Sequence, residues 1–162
     1  MKTGIIYYSL SGKTRNVVEK LHGTIDGDLI EVSVNPPYST LSAVTKGCYR
    51  ALKGSADEVL PDQIDVSGYD LLVIATPVWA GRSTPAIHGA INNLHGFQGK
   101  PTFLICTCGD AKSGEQALSQ LTSLLEEKGM KVVGSVILDK KNVIDGGMVA
   151  AIPQMIEKAG NI

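Results

Sequence analysis

The sequence predicts an α/β fold in which a five-stranded parallel sheet is covered by helices on both faces. Three observations predict it. Strand-like and helix-like apolar patterns alternate five times from end to end. The strongest apolar run, Leu71–Ala75, is continuous rather than alternating, as in a strand buried on both faces. Glycines and hydroxyl residues gather where strands one, three and four give way to helices. In an open parallel sheet, ligands sit outside the carboxyl ends of the strands, where the strand order reverses. Those three loops are therefore the candidate functional positions.

Each element follows from its pattern. Residues 4–8 (Gly-Ile-Ile-Tyr-Tyr) are the first strand, because the run is shorter than the ~7–15 apolar residues of a signal-peptide core. Val17, Val18, Leu21 and Ile25 fall at helical spacing and place helix one at about 13–24. Residues 29–34 alternate, with Ile30, Val32 and Val34 on one side, which reads as a half-exposed edge strand. Pro36-Pro37 breaks the chain. Leu41, Val44, Cys48 and Leu52 make a second helical stripe, closed by Gly54. The stretch 55–68 is polar and acidic but too short to separate domains, so residues 1–162 are read as one domain. Strand three is 70–75, and Ile87, Ile91 and Leu94 mark helix three. Strand four is 102–107, and Ala117, Leu118, Leu121, Leu124 and Leu125 mark helix four. Strand five is 132–138. Met148, Val149, Ile152, Met155 and Ile156 mark helix five, with Pro153 expected to kink it.

Composition narrows the function classes. The 162 residues are 43% hydrophobic and 19% charged, which suits a chain that buries a core without metals or disulfides. Fifteen basic against 16 acidic side chains argue against a broad basic face for nucleic acid. No apolar run approaches the ~18 residues of a membrane helix. Three cysteines (Cys48, Cys106, Cys108) are an odd number, which fits a reduced, cytoplasmic setting better than a disulfide framework. Cys106 and Cys108 have no histidine at zinc-ligand spacing. The unusual entries are 18 glycines and only 5% aromatics.

The first loop, Ser9-Leu10-Ser11-Gly12-Lys13-Thr14, ends a strand and opens a helix. A helix start offers unpaired N–H groups and a partial positive charge, which suits a phosphate. A plain N-cap needs one hydroxyl; three, with Gly12 and Lys13, point to an anion. A Walker loop needs a glycine where Tyr7 stands, and a receiver domain needs acids where Tyr8 and Ser9 stand. The third loop, Thr76-Pro77-Val78-Trp79-Ala80-Gly81-Arg82-Ser83-Thr84-Pro85, carries the single tryptophan, a stacking surface for a flat ring, with the bland alternative that it folds back over helix three. Gly81 is placed to take a positive φ. The fourth loop, Thr107-Cys108-Gly109-Asp110-Ala111-Lys112-Ser113-Gly114, has two glycines for close approach to a polar ring edge. No histidine adjoins Cys108, so it reads as a small lining residue, and Cys106 as core. His22, His88 and His95 read as surface or structural.

These motifs resemble the flavodoxin family. Ser9-Leu10-Ser11-Gly12-Lys13-Thr14 is similar to its [ST]-x-[ST]-G-x-T phosphate loop. Tyr69-Asp70, the apolar strand and Thr76–Gly81 resemble its ring-packing loop; Gly99-Lys100-Pro101 and then Thr107-Cys108-Gly109 resemble its third flavin loop. The resemblance spans nearly the whole chain, in the short form without the strand-five insertion. It implies a flavodoxin-like three-layer sandwich of strand order 2-1-3-4-5 with bound FMN. Ser9, Ser11, Gly12, Lys13 and Thr14, with Asn16 or Arg15 nearby, would take the phosphate. Thr76, Pro77, Val78, Trp79, Ala80 and Gly81 would cover the ring, with a peptide near Ala80-Gly81 reaching N5. Thr107, Cys108, Gly109 and Asp110 would meet the pyrimidine edge, Asp110 disfavouring negative charge on the ring.

Two departures bear on function. The family's second aromatic is absent from residues 107–114, which leaves one ring face open or covered by another subunit. The ligand-end loops carry Lys13, Arg82, Lys112, Lys140 and Lys141 against Asp110, Asp139 and Asp145. Most of the acidic run Asp57, Glu58, Asp62, Asp65 and Asp70 is expected at the opposite end of the sheet. The rim is therefore near neutral once a phosphate adds about −2, unlike an acidic docking face. The leading reading is an FMN electron carrier served by a reductase or ferredoxin. The alternative is an NAD(P)H-dependent FMN reductase acting on quinones or flavins, and a third is a non-redox interaction module.

Overall fold

A computed structural model describes residues 1–161. In chain order the elements are β1 (Thr3–Tyr7), α1 (Lys13–His22), β2 (Gly27–Glu31), β3 (Ser33–Val34) and α2 (Thr40–Ser42). A π-helical turn (Ala43–Gly47) joins α2 to α3 (Cys48–Leu52), followed by β4 (Val59–Leu60), β5 (Ile64–Asp65), β6 (Leu71–Trp79) and β7 (Arg82–Ser83). Then come α4 (Pro85–Asn92), β8 (Leu94–His95), β9 (Pro101–Thr107), α5 (Ala111–Glu127), β10 (Lys131–Leu138), α6 (Lys140–Asp145) and α7 (Gly147–Gly160). The sheet order is β2-β1-β6-β9-β10, all parallel, so the five long strands follow the expected 2-1-3-4-5 order.

Two-residue periodicity divides the core. Ile6, Leu72, Ile74 and Leu104 point to one face, where they meet Ile87 and Ile91 of α4 and Leu121 and Leu125 of α5. Ile5, Val73, Phe103 and Ile105 point to the other, against Val17 and Leu21 of α1 and Ile152 and Ile156 of α7. Gly89 allows α4 to approach its neighbour closely, since a Cβ there would stand 2.1 Å from the Asp57 carbonyl oxygen. Helix α7 runs on through Pro153 instead of ending there.

Several elements depart from the sequence pattern. The edge strand expected at 29–34 stops at Glu31; Ser33–Val34 turn away and pair antiparallel with β4. Strand three runs on to Trp79, because Val78 and Trp79 pair with Ser83 and Arg82. The third loop is thus largely a β-hairpin. Its two-residue turn has Ala80 at φ 50° and Gly81 at φ 71°, both left-handed, as the twist of a tight hairpin demands.

The larger correction concerns residues 41–52. The apolar stripe turns outward: Leu41 is 73% exposed, Val44 66% and Leu52 57%. The small residues Ala43, Gly47 and Ala51 face inward instead. A bulky stripe would not fit there, since a Cβ on Gly47 would lie 2.7 Å from the Trp79 ring. Asp57 is also not remote from the ligand end. It accepts from the Tyr38 hydroxyl at 2.8 Å and pairs with Arg50 at 2.9 Å, beside the hairpin.

These assignments predict opposite outcomes for two substitutions. Leu41→Ser should change unfolding free energy by no more than about 0.5 kcal/mol, as for an exposed site. Gly89→Ala should cost about 1–3 kcal/mol through overpacking. Urea unfolding midpoints of the two variants decide between this inside-out arrangement and the conventional one.

Candidate functional site

The carboxyl ends of β1, β6 and β9 are neighbours in the sheet, so the three loops converge. Between them lies a cavity of about 170 Å³ lined by Leu10, Ser11, Lys13, Thr14, Pro77, Val78, Trp79, Thr107, Cys108 and Gly109. Larger clefts exist, including one of about 430 Å³ around Ser33, Glu58 and Asp62. The smaller cavity is the better candidate because of its chemistry: it sits at a helix N-terminus, and its single charged lining group is Lys13.

The first loop is held open by its own serine. Ser9 Oγ accepts from the Gly12 N–H at 3.1 Å and the Arg15 N–H at 3.2 Å. Gly12 is left-handed at φ 90°, with no atom within 4 Å of where a Cβ would point. Among the described residues, no hydrogen bond engages the N–H groups of Ser11, Lys13 or Thr14. These free donors, with Lys13 exposed beside them, fit a phosphate group. Arg15 is not part of the cradle, because its guanidinium pairs with Glu31 on β2. Asn16 is exposed on α1, and its N–H serves the Gly12 carbonyl.

Thr14 has a second task. Its hydroxyl meets the Thr107 hydroxyl at 2.8 Å, with Thr14 1% and Thr107 6% exposed. This bond fastens the first loop to the fourth. Within the fourth loop, the Cys108 N–H donates to the Leu138 carbonyl at 3.0 Å. Burial, then the Asp110 and Asp139 carboxylates, push the Cys108 thiol up, so it stays protonated as a small wall residue. Gly109 has open space at its Cα. Asp110 is not among the lining residues: it caps α5 by accepting from the Ser113 N–H at 2.9 Å, and that bond holds its carboxyl below the usual range. Gly114, grouped with the cofactor glycines by sequence, lies inside α5, where a Cβ would stand 2.5 Å from Ile137. It serves helix-to-sheet packing.

The hairpin forms the third wall. Pro77, Val78 and Trp79 face the cavity, whereas Thr76, Ala80 and Gly81 do not line it. Thr76 is fully buried, and its hydroxyl accepts from the Thr84 N–H at 3.2 Å, which ties the hairpin to the start of α4. Trp79 is half-buried against the core cluster to which α4 contributes. It makes edge contacts with Tyr8, centroids 5.9 Å apart, and with Tyr38 at 5.2 Å. Burial pushes the Tyr8 and Tyr38 hydroxyls up to about 12, the latter also through Asp57, so both stay neutral. The aromatics are few, but three of them are gathered here.

Sequence reading missed two groups. Leu10 joins the cavity lining from within the first loop. Behind the hairpin, buried Ser83 Oγ lies 2.7 Å from His88 Nε2 and 3.0 Å from Gln120 Oε1, while Gln120 Nε2 lies 3.1 Å from His88 Nε2. Their separation along the chain hides this cluster from any periodicity.

Sheet order and three converging loops define a flavodoxin-like α/β protein. Within that class, a family model described as NADPH-dependent FMN reductase matches residues 1–143, and the chain belongs to that family. The FMN expected from the loop motifs agrees with it. The chain is similar to a flavoprotein in complex with FMN from Lactobacillus acidophilus (25% identity, TM-score 0.73), with 89% of this chain and 97% of that one covered. It shares its fold with a flavodoxin from Bacillus cereus (18% identity, TM-score 0.51, 90% and 91% covered) and one from Pseudomonas aeruginosa (18%, 0.57, 98% and 97%). No curated protein matches the sequence. No helix among the described residues is long and apolar enough to cross a membrane.

The Thr14–Thr107 bond can be tested by itself. Thr14→Val should destabilise by about 1–3 kcal/mol by stranding a buried hydroxyl, and adding Thr107→Val should recover part of that loss. Thermal unfolding of the two single variants and the double variant measures the coupling.

Proposed function

We propose that this chain is an FMN-dependent NAD(P)H oxidoreductase acting on a small planar acceptor such as a quinone or a free flavin. The observation that carries the reading is the cavity itself: a phosphate cradle at one end, an aromatic-backed hairpin at one side, and no aromatic lid from residues 107–114. A flat substrate needs such an uncovered side. Family membership supports the reductase over the carrier, as does a rim without the acidic excess of a docking face.

The N–H groups of Ser11, Lys13 and Thr14, the Ser9 and Ser11 hydroxyls and the Lys13 ammonium would hold the phosphate. Gly12 leaves room for its oxygens, since a Cβ would occupy the open space above the loop. Trp79, braced by Tyr8 and Tyr38, would wall the ring system, with Pro77 and Val78 completing that side. Thr107, Cys108 and Gly109 would border its polar edge, with a protonated thiol that adds no charge. Bound FMN would supply the redox chemistry, taking a hydride from a nicotinamide and passing electrons to the acceptor. Excluding water from that cavity is the task of the hairpin and of Leu10.

Purified protein with added FMN should oxidise NADPH faster when a quinone is supplied. A protein that binds FMN but is reduced only by a reductase protein would return the carrier reading. Ser11→Asp should weaken FMN binding by at least about tenfold, through repulsion of the phosphate and loss of a donor. Unchanged affinity in that variant, measured by quenching of FMN fluorescence, would place the phosphate elsewhere.

A further inference from the structure

The cluster behind the hairpin does more than fill space. We propose that His88 is a positioning residue that latches the cavity-facing hairpin while its imidazole is neutral, and that its protonation loosens the hairpin and weakens FMN binding below neutral pH. The inference rests on the FMN reading of the same cavity and names a control on it.

The hydrogen-bond pattern defines the latch. Gln120 Oε1 lies 3.4 Å from the Ser83 N–H, which fixes that end of the amide as the acceptor. Gln120 Nε2 therefore donates toward His88 Nε2 at 3.1 Å. The Ser83 hydroxyl lies 2.7 Å from the same nitrogen and 3.0 Å from Gln120 Oε1, and its one proton can serve either acceptor. With the Gln120 amide N–H directed at Nε2, the ring proton of the neutral imidazole belongs on Nδ1. In this neutral arrangement Nε2 is the acceptor that the Gln120 amide N–H needs. The arrangement joins β7, α4 and α5 through one ring.

A proton on Nε2 breaks the pattern. Ser83 can reverse its hydroxyl toward Gln120 Oε1, 3.0 Å away. The Gln120 amide N–H cannot adapt in place, because it then faces another N–H. The strain reaches the cavity directly: Ser83 pairs with Val78, and Arg82 with Trp79. Gln116 Oε1 also sits only 2.5 Å from where a Gly81 Cβ would stand, so α5 packs tightly on the hairpin turn.

Burial pushes the imidazole below its ordinary value, and no charged group contributes to that shift. The groups facing the ring are a hydroxyl, an amide and a carbonyl. Helix α4 carries no other titratable residue, and the nearby Asp57 carboxylate is spent on Tyr38 and Arg50. The sign follows. A depressed histidine value in the folded chain means that the unfolded chain binds the proton first. The latch is complete above the ordinary value of about 6.5 and weakens as pH falls through the lower folded value.

Trp79 is the only tryptophan, so the emission of the flavin-free protein reports the hairpin. Between pH 8 and 5 the wild type should show a sigmoidal change in emission, with its midpoint below about 6.5. His88→Gln should abolish that change. Ser83→Ala, which keeps the imidazole but cuts its link to β7, should at least halve it. FMN's own phosphate titrates near pH 6 in every variant. The difference between proteins is therefore the measure: from pH 7.5 to 5.5, wild-type FMN affinity should fall about fivefold more than that of His88→Gln. A wild type with no emission change overturns the proposal, as does a full change in His88→Gln. If His88→Gln does not fold, an undiminished response in Ser83→Ala overturns it. A His88-dependent emission change in a protein that ignores FMN supports the latch and overturns the flavin reading, so the two fail separately.

Discussion

The placement of β1 between β2 and β6 is the constraint on which the rest of the structure depends. It makes the chain cross over from β2 to β6 and leaves a crevice at their carboxyl ends, where the helices leave toward opposite faces. The loops after β1, β6 and β9 are then neighbours although about 30 or more residues separate them along the chain. A helix N-terminus brings positive potential to that crevice, and the neighbouring strands bring apolar walls. Strand order alone brings the loop suited to an anion beside the hairpin that carries Trp79.

Within that frame, small residues set the distances. Gly47 lets the segment after β3 press against Trp79, Gly81 lets α5 reach the hairpin turn, and Gly114 seats α5 on β10. The Trp79 ring therefore has neighbours on several sides, yet it still borders the cavity. A wall built this way owes its rigidity to what is missing from the neighbouring Cα atoms. The glycine excess and the aromatic scarcity are two aspects of one packing solution.

The alternation of elements was legible because burial imposes a period on each strand and helix, and Leu71–Ala75 is apolar throughout for the same reason. The loop after β1 was legible as a candidate anion site because its hydroxyls, glycine and lysine are contiguous. The stripe Leu41, Val44, Leu52 misled because amphipathicity identifies an apolar face without saying what covers it; the bulk of Trp79 and Tyr38 admits only Ala43, Gly47 and Ala51. The hairpin was hidden because Ala80-Gly81 lacks the asparagine or aspartate that usually announces such a turn. The helix cap by Asp110 and the packing of Gly114 on β10 were not legible because sequence shows that a residue is near a loop, not what it contacts. His88 and Gln120 lie 32 positions apart, on two helices whose adjacency belongs to the fold alone.

The hydroxyl pair Thr14–Thr107 also bears on how the protein is made. A chain emerging from the ribosome can pair β1 with β2 and then β6 early, and domains begin to organise as they appear. The pocket, however, lacks the wall that Thr107 supplies until that residue has left the exit tunnel, long after the first loop has emerged. Loading of a cofactor thus waits for β9 to emerge, and the nascent chain must stay soluble until then without that ligand's help.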